Sequence, residues 1–286
     1  MTQNIEEAMA FVPPAVEDVA KADRFKKWYF DPEFEGLEHI SPDRPTLMVG
    51  NHSRFGGLEM QLFFGTVYVE RGVFARGLSD RMHYKIPIWR DALTASGAVL
   101  GSRDMCSALM EAGQTLAVYP GGGREVTKGR GTNYKLLWEG RTGFVRMAIK
   151  HGYSITPFCS VGPDDAFDVL FDTDGFVREY FGHWLMERGL DKSLLSGGVI
   201  PPIPRGIGLS MLPRPEKFYF KIGKPIETRQ YSGKHEDKKL LQRLQRKIAD
   251  RIYDMCKASL LQREHEAGEQ PFWRRVLRTL EFFLWV

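Results

Sequence analysis

Apolar positions run along the chain in two alternating rhythms. Short β-prone runs lie at Thr46 to Val49, Gly97 to Leu100, Thr115 to Tyr119, Ser154 to Ser160 and Phe218 to Ile222. Between them, segments at about 58 to 70, 103 to 112 and 136 to 151 repeat their apolar residues at helical spacing. Strands that alternate with amphipathic helices predict an α/β fold, a mainly parallel central sheet flanked by helices. In such a sheet the loops that follow successive strands gather at one edge, which is where its chemistry belongs. No internal repeat and no low-complexity tract interrupts the pattern.

Both ends carry amphipathic helical extensions, so the chain divides into an N-terminal helical segment (1–45), a central domain (46–232) and C-terminal helices (233–286). In the first, Pro13-Pro14 separates two short helical patterns, and Arg24, Lys26 and Lys27 precede Trp28-Tyr29-Phe30. Such a segment either packs its aromatics on the domain or lies at a membrane interface. At the other end a basic helix spans about His235 to Gln262. In the final segment Phe272, Val276, Leu280, Phe283 and Leu284 share one face, and Arg274, Arg275 and Arg278 lean to the other. That arrangement suits a helix lying among lipid headgroups, or one docked on the domain or on another copy. The central pattern degrades from Asp164 to Pro215, where Phe167, Phe171, Phe176, Tyr180, Phe181 and Trp184 crowd an insertion that closes over the core or walls an apolar channel.

Composition narrows the class. The 286 residues are 43% hydrophobic and 27% charged, enough for a large core. A net charge of +4 is a mild basic bias, which fits anionic ligands or an anionic membrane and is too weak to argue for nucleic acid. Cys106, Cys159 and Cys256 form no CxxC pair, against a disulfide framework or zinc. His39, His83, His151, His183, His235 and His265 lack a spaced partner pattern, so no metal site is expected. The N-terminus lacks signal-peptide features, and no apolar stretch reaches the ~20 residues of a spanning helix. The expected location is therefore cytoplasmic, with peripheral contact to the inner face of a membrane.

The candidate chemistry sits at strand ends. Thr46 to Gly50 runs directly into Asn51-His52, and an imidazole at the end of a strand is well placed to take a proton near neutral pH. Gly97-Ala-Val-Leu-Gly-Ser-Arg103 ends a second strand with a guanidinium. Tyr119-Pro-Gly-Gly-Gly-Arg-Glu125 ends a third with a glycine turn and another. On adjacent strands, Arg103 and Arg124 would make a fork for phosphate or carboxylate. Gly121, Gly122 and Gly123 allow close backbone approach to a developing oxyanion or a phosphate. The nucleotide-loop reading is weak, since no glycine-lysine-Ser/Thr ending follows.

The order Asn51-His52, Gly97 to Arg103, Pro120 to Glu125 and Ile155-Thr156-Pro157 resembles the four blocks of the glycerolipid acyltransferases, the superfamily of lysophosphatidic acid and glycerol-3-phosphate acyltransferases. The Pro-Gly-Gly-x-x-Glu form, followed by Tyr134-Lys-Leu-Leu-Trp and Arg141-Thr-Gly-Phe144, is similar to the diacylglycerol acyltransferase-like branch; the resemblance covers roughly residues 46 to 226. It implies an acyl-CoA-dependent enzyme without cofactor, in which His52 deprotonates a lipid hydroxyl that attacks the thioester directly. By the same resemblance Arg103 and Arg124 hold acceptor phosphate, and the backbone at Gly121 to Gly123 shapes the site beside the carbonyl. One departure stands out: the family's Asp, five positions after the histidine, is Gly57 here. In one continuous helix Glu59 would stand about 10 Å along the axis from His52. If Gly56-Gly57 breaks the chain into a turn, Glu59 folds back to Nδ1; the turn is favoured because adjacent glycines destabilise a helix by about 1 kcal/mol each. Glu125 is the rival partner. The missing Asp also motivates a second expectation, a non-catalytic lipid-binding protein on the same scaffold.

Overall fold

In the computed structural model, the described residues are 4–80, 84, 87–129, 131–171, 203–208 and 210–279. The insertion aromatics Phe176, Tyr180, Phe181 and Trp184 lie outside them, as do Leu280, Phe283 and Leu284 of the terminal stripe. The strands in chain order are β1 (Glu33–Glu35), β2 (Thr46–Gly50), β3 (Arg76–Ser79), β4 (Val99–Leu100), β5 (Leu116–Val118), β6 (Ser154–Val161), β7 (Asp168–Phe171), β8 (Ile203–Arg205) and β9 (Tyr219–Ile222). The helices are α1 (Ile5–Met9), α2 (Val16–Phe30), α3 (Leu58–Arg71), α4 (Pro87–Ala95), α5 (Arg103–Glu111), α6 (Gly123–Val126), α7 (Gly143–His151), α8 (Lys238–His265) and α9 (Phe272–Thr279).

Seven strands form one sheet in the order β1-β9-β6-β2-β5-β3-β4, and β7 and β8 pair separately. From β6 to β4 every neighbour is parallel; β9 runs antiparallel to β6, and β1 follows β9. All five residues of β2 are buried, as expected for a strand covered on both faces. Alternation sorts its side chains. Leu47 and Val49 join the layer with Leu109, Val145, Ile149, Leu244 and Ile248, whereas Met48 joins Phe30, Leu62, Phe63 and Phe158 on the opposite face. The sheet is thus sandwiched between α5, α7 and α8 on one side and α2 and α3 on the other.

Two sequence expectations change. The helix expected at 136–151 begins only at Gly143, because Glu139 (φ 38) and Gly140 (φ 71) take left-handed backbone conformations while Trp138 is buried. Arg103 and Arg124 do not follow adjacent strands: β3 lies between β4 and β5, so their strand ends are about 10 Å apart.

Candidate active site

Every strand from β2 to β6 points its C-terminal end to one edge, and His52 lies there, two residues beyond β2. The Asn51 side chain fastens this exit: its Nδ2 donates to the Ser160 carbonyl (3.0 Å) and its Oδ1 accepts from the Ser160 N–H (2.9 Å). The chain then turns through Phe55 (φ 64), Gly56 (φ 42) and Gly57 (φ 123) before α3 begins at Leu58. The glycine pair does break the chain, and Glu59, in the first turn of α3, folds back so that Oε1 lies 3.2 Å from His52 Nδ1. Glu59 Oε1 also accepts from the Ser53 N–H. Gly56 is required for space as well as for its φ: a Cβ there would fall 2.7 Å from His52 Cε1.

Glu59 is 2% exposed. Burial opposes its ionisation, yet the hydrogen bond and charge of the imidazole, with Ser53, outweigh burial and hold the carboxyl below its ordinary value. Glu125 goes the other way. Its burial raises the pKa more than its partners lower it. Its oxygens accept from the backbone N–H of His52 (2.8 Å) and of Leu137 (2.8 Å), so it organises main chain rather than the imidazole. One face of the His52 ring stacks on Tyr119, with centroids 4.2 Å apart. With Nδ1 directed at the carboxylate, Nε2 makes no hydrogen bond among the described residues.

Beneath His52 is a network that spacing did not announce. Lys128 Nζ donates to the His52 carbonyl (2.8 Å) and to Asp164 Oδ2 (2.8 Å), and both side chains are fully buried. Asp164 further accepts from the backbone N–H of Arg54 (2.6 Å) and of Tyr134 (2.8 Å). Arg54 donates into the loop at Lys128 O, Gly129 O and Asn133 Oδ1. The Gly121 to Gly123 turn is tied to the same assembly. An added Cβ on Gly121 would meet the Glu125 side chain, and Arg141 Nη1 donates to the carbonyls of Pro120 (2.8 Å) and Gly121 (2.9 Å). Arg141 is therefore a strut of the turn.

The two arginines expected as an anion fork stand differently. Arg124, on α6, is ion-paired with Glu139, and Arg103 is exposed on the first turn of α5. Among the described residues no group of His, Cys, Asp and Glu is arranged to hold a metal ion. A broad groove of about 1170 Å³, lined by Lys224, Lys234, Arg243, Lys247 and neighbours, lies at the opposite edge, where Ile226 bridges to Ile155 at the start of β6. It is distant from His52.

Phytyl ester synthase 1, chloroplastic, from Arabidopsis thaliana is 27% identical over 263 residues, covering 87% of this chain and 36% of that protein. The human DGAT1/2-independent enzyme synthesizing storage lipids is 29% identical over 156 residues, 54% of this chain and 46% of that protein. The chain thus spans less than half the length of these relatives. The crystal structure of the 1-acyl-sn-glycerophosphate acyltransferase PlsC from Thermotoga maritima superposes with a TM-score of 0.50 at 17% identity, over 84% of this chain and 79% of that one, so the fold is shared. The Acyltransferase family model matches residues 31–161, from just before β1 to the end of β6 and including His52, Glu59 and the glycine turn. Over those residues, a little under half of the chain, the sequence is similar to that family.

Proposed function

We propose that the protein moves a fatty acyl group from acyl-CoA to a lipid hydroxyl, with His52 as the general base and Glu59 as the carboxylate that orients it. The observation that carries this reading is the buried Glu59 against His52 Nδ1, which leaves Nε2 as the proton acceptor at the C-terminal edge of a parallel sheet. The acceptor O–H gives its proton to Nε2 as its oxygen bonds to the thioester carbonyl carbon. The tetrahedral intermediate then expels the thiolate of CoA, which takes the proton back from the imidazolium. Backbone at Gly121 to Gly123 flanks the reacting carbonyl. A positioned base supplies roughly 10²–10⁴-fold, so orientation and oxyanion stabilisation must supply the rest.

The acceptor is a neutral alcohol or glyceride in preference to a phosphate-bearing lipid. Arg124 already has a carboxylate partner, and Arg103 follows a strand that is not its neighbour. The names of the relatives, a phytyl ester synthase and a storage-lipid enzyme, lean the same way. With lipid reactants the work belongs at a membrane surface, held peripherally on the cytoplasmic side. No described helix is long and apolar enough to cross a membrane. The non-catalytic alternative rested on the missing Asp, and the contact of Glu59 with His52 Nδ1 weighs against it.

The test is turnover of radiolabelled acyl-CoA with a panel of a long-chain alcohol, a diacylglycerol and a lysophospholipid. Ester should form with the neutral acceptors and fall at least about a hundredfold in His52→Ala. Turnover that survives this substitution overturns the mechanism, and selective use of the lysophospholipid overturns the acceptor assignment.

A further inference from the structure

The two amphipathic ends of the chain meet in space. Trp273 of α9 stacks on Trp28 of α2, with ring centroids 5.3 Å apart. The neighbouring Arg274, only 2% exposed, donates to Asp31 Oδ2 and to the carbonyls of Trp28 and Tyr29, so it closes the C-terminal end of α2. The sequence grouped Arg274 with Arg275 and Arg278 on the face opposite the apolar stripe. It is instead the residue that docks the helix. The α9 side used for docking is therefore Trp273 and Arg274, and Phe272 is left exposed.

Phe272 is 73% exposed, and it has company. Phe25 and Trp28 on α2 are 65% and 62% exposed, and Met211 and Leu212 are 69% and 66% exposed. The last two are held beside α2 because Tyr29 donates its O–H to Pro213 O (2.7 Å). Five large apolar side chains so exposed on three touching segments exceed the single scattered hydrophobics of an ordinary surface. Arg24 is exposed on the same side of α2, as is Lys21, which pairs with Asp18 a turn further from the aromatics (3.8 Å), and Arg275 is exposed on α9. Aromatic rings bordered by Lys and Arg match the headgroup layer of an anionic bilayer.

The place of this face in the fold matters as much as its chemistry. Phe218 donates to Phe30 O and accepts from the Glu33 N–H, and the next residue, Tyr219, opens β9 opposite Val161, so the end of α2 and the start of β9 lie at the strand-end edge that carries His52. We propose that Phe25, Trp28, Met211, Leu212 and Phe272 form one docking face for an anionic lipid surface, built from both ends of the chain and turned to the same edge as His52. The inference deepens the lipid-acceptor reading above and rests on it for its purpose, though not for its geometry.

The test uses the full chain and vesicles of phosphatidylcholine with and without phosphatidylserine. Phe25 borders the Trp28–Trp273 stack, with its ring centroid 5.8 Å from that of Trp28 and 5.6 Å from that of Tyr29, so near-ultraviolet circular dichroism of Phe25→Glu and Phe272→Glu checks that α9 stays docked. Each should weaken co-sedimentation with phosphatidylserine vesicles roughly tenfold, and the pair more, in keeping with the loss of one buried aromatic each. Ile88→Glu, an equally exposed apolar site on α4, should change it less than twofold. Unchanged sedimentation of the double variant, or equal loss in Ile88→Glu, overturns the proposal. So does a dimer of the native chain that becomes monomeric in the double variant, which would assign the face to a second copy. Turnover of a water-soluble short-chain alcohol without vesicles should be the same in native and double-variant protein. If neither turns over, the enzymatic reading fails while the sedimentation result still decides the face.

Discussion

Both polar atoms of the His52 peptide are held by charged side chains three residues apart: Glu125 accepts from its N–H and Lys128 donates to its carbonyl. An imidazole fixed at its own main chain would lose little entropy on meeting a substrate, which is how positioning enters a rate. Lys128 depends on Asp164 for its charge balance, and both are fully buried. Lys128→Met should therefore destabilise the fold by about 3–5 kcal/mol, since it leaves an uncompensated carboxylate in the core. Urea denaturation should recover part of that loss when Asp164→Asn is added. Glu59 makes the complementary case through pH. Its folded-state pKa lies below its ordinary 4.5, so its stabilising contribution is fully present above that value and is lost as pH falls through the folded one. Glu59→Gln should thus flatten the acid side of the Tm–pH profile below about pH 4.5 relative to the native protein. Glu125, whose pKa is raised by burial, has the opposite sign: its contribution is largest at low pH and declines as pH rises through the raised value.

At the scale of elements, the glycine turn after β5 depends on a residue twenty positions away. Arg141 lies just before α7 and spends one Nη on two carbonyls of the turn. Arg141→Ala should cost about 2 kcal/mol for the two bonds and lower kcat in the acyl-transfer assay by at least tenfold, with KM for acyl-CoA changed far less. The strands β2, β5 and β6 were readable in sequence because each is an apolar run buried on both faces. The strands β1 and β3 were not: Glu33-Phe-Glu35 is a short edge strand, and β3 opens on Arg76, a cation buried by donating to Gly97 O and Ala8 O. The position of Glu59 followed from the two glycines before it, a local rule. Asp164 and Lys128 gave no local signal, because their roles arise only when the end of β6 meets the loop after α6. Tyr119 belonged to a legible motif, but its stacking on His52 depends on the pairing of β2 with β5.

The whole molecule has two chemically distinct ends. The strand-end edge carries His52 and the exposed aromatics, whereas the opposite edge carries the cationic groove with Arg243 and Lys247 on α8. The separation is set by strand length: at about 3.3 Å per residue, β6 alone spans roughly 26 Å, more than two Debye lengths at the ~10 Å of 0.1 M salt. Cations in the groove are therefore screened from a bilayer that meets the other edge. A chain drawn to anionic lipid by its overall charge would behave differently, because its formal +4 counts every cation alike. The pair Arg243→Glu and Lys247→Glu separates the two cases, since each reversal removes two charges and together they bring the chain to neutrality. At 0.1 M salt the pair should lower binding to phosphatidylserine vesicles by less than about threefold and leave turnover of a neutral acceptor unchanged. A loss comparable to that of the aromatic substitutions would mean that net charge, and not one oriented face, brings this protein to lipid.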